Sequence, residues 1–97
     1  MSALELARFT VAPERREEML EARRPAIEAL RREFPGLMGG HLARLDETTW
    51  IDALLWRTRG EAESAAERAR SLPEAAAYFR TFDAVLAMEH GEVVQSD

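Results

Sequence analysis

Asp52 stands between two tryptophans in the run Thr49-Trp-Ile-Asp-Ala-Leu-Leu-Trp-Arg57. The run reads as a strand, and side chains alternate along a strand. Trp50, Asp52, Leu54 and Trp56 therefore share one face. Asp is disfavoured in mid-strand. An isolated carboxylate among indoles resists ionisation, which suits a general base; the plainer alternative is a buried acid paired with an Arg or set at a wet interface. Arg23 is the matching cation. Met19, Arg23, Ile27, Leu30 and Phe34 recur at helical spacing, so Arg23 lies in an apolar stripe. Its guanidinium could bind a phenolate or enolate oxygen, pair with Asp52, or snorkel to water along its own stem.

His41 could move protons at neutral pH. Its face depends on register. With Leu45 opposite Trp50 it joins the face of Asp52 and Trp56; one more residue in the hairpin loop turns it to the other side. Trp56 is a candidate stacking wall for a flat aromatic molecule, or plain core. Trp50 is a lid or rim residue near the hairpin. Tyr78 and Phe79 line a cavity from a helix or pack in the core. His90, beside Glu89, is expected at a dimer contact or strand edge.

The elements that must position these residues follow from pattern. Ala3 to Val11 alternates as a first strand. Pro13 suits a first helical turn, and apolar positions then recur to Phe34, with Pro25 expected to kink or split the helix. Phe34-Pro-Gly36 ends it. Leu37 to Leu45 is a second strand, in which Gly39-Gly40 marks a bulge or close approach. Asp46 to Thr49 is a hairpin connection, followed by the Trp-rich strand. An Ala-rich helix runs from about Glu61 to Arg70, a second piece from Pro73 to about Phe82, and a last strand from Ala84 to Val94.

Strand, helix, strand, strand, helix, strand is the α+β, ferredoxin-like split βαβ order. Right-handed crossovers put both helices on one face of a four-stranded antiparallel sheet. Ile51, Ala53 and Leu55 then project from the other face, which is apolar and uncovered. A homodimer closing sheet against sheet is the economical answer.

Composition narrows the function. The 97 residues fit a single domain, 1–97. A net charge of -5 argues against nucleic acid. With no cysteine, disulfides and thiolate chemistry are excluded. Two histidines without motif spacing make a poor metal site, so no metal is expected. No leader pattern opens the chain and no apolar run reaches the ~18–20 residues of a membrane span, so a cytoplasmic location is expected.

The chain resembles the antibiotic biosynthesis monooxygenase family of the dimeric α/β-barrel superfamily. The resemblance rests on Leu4 to Val11 followed by Pro13, on Phe34-Pro-Gly36, on Leu54-Leu-Trp-Arg57, on Pro73 to Phe79 and on Met88 to Val94. It implies a homodimer with one pocket per subunit between helices and sheet. Some members oxygenate aromatic polyketides without flavin or metal, and others degrade heme. The heme-degrading members carry an Asn on the first strand and a His near the end of the second helical region; Ala7 occupies the first position here and Tyr78 lies close to the second, so heme degradation is not implied. The quinone-forming members place an Asn four residues before a strand Trp. Trp56 fits that Trp, and Asp52 puts an acid where those proteins have an amide.

Three functions are thus open. One is a cofactor-independent monooxygenase of a small aromatic or polyketide-like ligand, with Asp52 or His41 as base, Arg23 as anion stabiliser, and Trp56, Trp50, Tyr78 and Phe79 as walls. Another is an isomerase or lyase on the same scaffold. The third is a non-catalytic dimeric module that binds a small hydrophobic ligand or none; a closed core in which Asp52 and Arg23 satisfy each other would favour it. A cavity of ~300 Å3 or more beside Asp52 would oppose it.

Overall fold

Four strands pair antiparallel in the order β2-β3-β1-β4, in a computed structural model that describes residues 1–97. The elements are β1 (Ala3–Thr10), α1 (Arg16–Glu33), β2 (Leu37–Arg44), β3 (Thr49–Trp56), α2 (Arg59–Arg68), α3 (Pro73–Phe79) and β4 (Ala84–Glu92). Short 3-10 turns precede α1 at Pro13–Arg15 and join α2 to α3 at Ala69–Ser71. This is the ferredoxin-like α+β arrangement. No helix is long and apolar enough to cross a membrane.

Pro13 opens the first 3-10 turn, and Glu17 and Glu18 lie in the first turn of α1 while Arg31 and Arg32 lie in its last. Both sets complement the helix dipole. Pro25 does not split α1, which runs through it. Pro25 is exposed, whereas Ala26, Ala29 and Leu30 just beyond it are buried. Packing of that face offsets the lost backbone bond. The second helix starts two residues before the expected Glu61, because Thr58 caps it: its hydroxyl accepts the Glu61 N–H at 3.1 Å. The third helix stops at Phe79, short of Phe82.

Strand β3 alternates strictly, with Trp50, Asp52, Leu54 and Trp56 buried and the residues between them half-buried. Opposite them on β1, Ala3, Glu5 and Phe9 turn the same way. Two apolar clusters form on this inner face. One gathers Leu30, Phe34, Leu54 and Trp56 with the alanines of α2; the other gathers Phe9, Val11, Met19, Ala26, Trp50 and Tyr78. Burial of each large side chain among these is worth about 1.5–3 kcal/mol. The outer face carries Leu4, Leu6, Ile51, Ala53 and Leu55, with Leu4 37% exposed.

The hairpin register departs from one of the two expected. Arg44, not Leu45, pairs with Trp50. The Asp46 carboxylate accepts the N–H groups of Thr48 at 3.0 Å and Thr49 at 2.8 Å, and this turn takes up the extra residue. These bonds hold the Asp46 carboxyl below the usual range. The β2–β3 register also shifts between Leu37 and Gly39. Gly40 lies against β3, where a Cβ would come within 2.9 Å of the Ala53 carbonyl oxygen.

Candidate active site

Three side chains from three elements meet at Asp52. Arg23 on α1 donates twice, Nε to Oδ2 at 3.0 Å and Nη2 to Oδ1 at 2.9 Å. Tyr78 on α3 donates its hydroxyl to Oδ2 at 2.6 Å. The contact joins helices and sheet across the core, since α1 and α3 also pack on each other. Burial pulls the Arg23 guanidinium down, but its hydrogen bonds and attraction to Asp52 outweigh that, and its pKa ends above the ordinary Arg value. Burial first, then the Asp52 charge and hydrogen bond, push the Tyr78 hydroxyl far up, so it stays protonated. The cluster is therefore a guanidinium–carboxylate pair with a neutral phenol donating into it.

Beside it lies a cavity of about 640 Å3 between the inner face of the sheet and α2 and α3. Its walls are mostly apolar and include Leu54, Trp56, Phe79 and Phe82, with Leu30 from α1. Asp52 and Tyr78 enter the lining as polar groups. Val85 and Met88 of β4 line it too and are 60% and 50% exposed, so the mouth faces that edge. Arg70 and Arg80, both exposed, sit at the rim. The volume falls within the range of about 300–1,000 Å3 usual for small-molecule sites.

The structure thus brings Asp52, Arg23 and Tyr78 into contact and sets Trp56 and Phe79 in the same cavity wall. It does not bring His41 or Trp50 there. His41 pairs with Ala53 and is exposed on the outer face, so it cannot serve a ligand in this cavity. The extra loop residue is the reason, since a shift of one reverses the face. Trp50 is no lid or rim. It is 6% exposed, packed among Phe9, Met19 and Tyr78, with its indole N–H unpaired. A closed core around a mutually satisfied Asp52 and Arg23 is only half observed, because the pair forms and the cavity lies open next to it.

A second polar cluster was not foreseen. Glu5 on β1 is 7% exposed and lines the cavity. Its Oε1 accepts the Trp56 indole N–H at 3.4 Å, and its Oε2 meets His90 Nε2 at 2.9 Å. His90 is not confined to the strand edge: its ring turns inward to Glu5, and its side chain is only 15% exposed. The signal lay in β1, where Ala3, Glu5, Ala7 and Phe9 alternate as Trp50, Asp52 and Leu54 do in β3. An acid at Glu5's place has the same claim to notice as Asp52.

Solved structures share this fold along almost the whole chain. An antibiotic biosynthesis monooxygenase family protein from Chloroflexus aurantiacus J-10-fl superposes with a TM-score of 0.73 at 13% identity, over 100% of this chain and 97% of that one. One from Caulobacter crescentus CB15 gives 0.73 at 16% identity, over 97% and 91%. A variant of SnoaB, a cofactor-independent oxygenase from Streptomyces nogalater, gives 0.64 at 24% identity, over 98% and 95%. No protein-family model matches the chain, and no curated protein matches it.

Proposed function

We propose, starting from a fold shared with antibiotic biosynthesis monooxygenases, that this chain is a cofactor-independent monooxygenase of small fused-ring phenols or polyketide-like compounds. The observation that carries the reading is the apolar cavity of about 640 Å3 with Asp52 and Tyr78 in its wall and Arg23 paired to Asp52 behind them. Such a reaction needs little from the protein. A proton leaves the substrate, the resulting carbanion or phenolate gives electrons to O2, one oxygen atom enters the ring and the other leaves as water. The substrate supplies every electron.

The cavity offers what this demands. Trp56, Phe79 and Phe82 present flat apolar surface to a ring system. Arg23 already balances Asp52, so the cluster adds an ordered dipole to the wall without a free buried charge.

Oxygen consumption with a panel of fused-ring phenols tests the reading. The expected result is uptake matched one to one by product, with label from O2 in the product. Proton exchange into the substrate without oxygen uptake would instead support an isomerase or lyase, and binding without either would support a ligand-binding module.

A homodimer through the outer face belongs to the same proposal. Leu4, Leu6, Ile51 and Leu55 form an apolar face that no element of the chain covers. Ala53→Glu places a charge at its centre and is expected to give monomers in light scattering at micromolar concentration. A variant that stays dimeric, or a monomeric parent protein, removes the dimer reading.

A further inference from the structure

We propose that Glu5 is the group that takes the substrate's proton in this cavity, with His90 as its positioning residue. The inference rests on the oxygenase reading only for the need to abstract a proton. The step is simple: the proton moves to a Glu5 carboxylate oxygen, and the electron pair of the broken bond stays on the substrate.

Asp52 is the more conspicuous acid, but it is held in a bidentate ion pair and a third hydrogen bond. A carboxylate offers about four acceptor sites, and Asp52 uses three of them, on two Arg23 donors and the Tyr78 hydroxyl. A proton arriving there would break a bidentate ion pair and leave a buried guanidinium without its counter-charge. Glu5 is engaged differently. The indole contact to Oε1, at 3.4 Å, is longer than a good N–H···O bond of about 2.9–3.0 Å. Only Oε2 is firmly held, by His90 at 2.9 Å. Oε1 is thus available to a ligand while Oε2 fixes the carboxylate's orientation.

His90 fits the supporting part. It reaches Glu5 from β4, where the two residues are direct cross-strand partners. It lines a surface groove with Glu89 and Val93, while Glu5 lines the cavity. The acid therefore touches the ligand and the imidazole stands behind it. Orientation of a reacting group by a neighbour that never touches substrate is the common logic of dyads and triads.

A nitrobenzisoxazole tests this without knowledge of the natural substrate. A base removes its ring C–H proton, that electron pair forms the nitrile, the N–O bond breaks, and a coloured phenolate results with no oxidant consumed. The parent protein is expected to accelerate this elimination well beyond free acetate at equal concentration. Glu5→Gln is expected to lose about 100-fold or more, and Glu5→Asp to keep part of the rate. His90→Leu is expected to lower kcat with KM held, and His90→Gln, which keeps an N–H donor for Glu5, to recover most of it. No acceleration by the parent protein overturns the assignment. So does a rate that survives Glu5→Gln. Oxygen plays no part in the elimination, so failure of oxygen uptake with phenols is a separate result.

Discussion

Arg23→Met is expected to destabilise the fold by about 3–5 kcal/mol, out of the ~5–15 kcal/mol that holds a domain together. The guanidinium is the counter-charge for a carboxylate whose residue is 5% exposed. Without it, Asp52 keeps only the Tyr78 hydroxyl, and a single neutral donor does not replace a bidentate cation. The reverse change, Asp52→Leu, is expected to cost less. The Arg23 side chain is 20% exposed, so its head can turn to water along its own stem; what remains is an unpaired buried Tyr78 hydroxyl, worth about 1–3 kcal/mol. The double variant Arg23→Met, Asp52→Leu is expected to be more stable than Arg23→Met alone, because it removes the stranded charge. Urea denaturation of the four proteins measures the coupling. Costs that simply add would mean that the two side chains do not sense each other.

The same pair shows what could be read before the fold was seen. A strand has a period of two, so the run from Thr49 to Trp56 declares its faces locally, and burial follows that alternation residue by residue. The helical stripe of α1 likewise placed Arg23 on the buried side, and pairing with Asp52 was one of its stated alternatives. Features that depend on non-local accounting were harder. The face of His41 turns on one residue of hairpin length, decided by the Asp46 carboxylate capping Thr48 and Thr49. The Glu5–His90 contact joins residues 85 apart in the chain. It exists because β1 and β4 are neighbours, a fact about strand order and not about either segment. Trp50 starts a strand after a turn, a position that suggests solvent, yet Phe9, Met19 and Tyr78 close over it. Even so, the alternation in β1 already turns Glu5 inward, beside the tryptophan-bearing face of β3.

Tyr78 yields the other large effect, and this chain is well suited to measure it. It holds one Tyr, no Cys, and Arg as its only basic side chain other than His. Between pH about 9 and 12, Tyr78 is then the one side chain that titrates when unfolded, near its ordinary value of about 10. In the fold, burial and the Asp52 charge hold its pKa far higher. Below pH about 10 both states keep the proton, and the contribution of the group to stability is fully present. Above it, the unfolded chain binds fewer protons than the folded one, so stability falls as pH rises, by about 1.4 kcal/mol per unit from this group. Denaturant midpoints should therefore drop steeply from pH about 10 to 12. Tyr78→Phe should flatten that fall, although it starts lower through loss of the bond to Asp52, worth about 1.5–3 kcal/mol. Tyrosinate absorbance should rise only as the fold is lost. A reversible rise near pH 10 with the circular dichroism unchanged would place the phenol in water, and the cluster around Asp52 would then not have the geometry described.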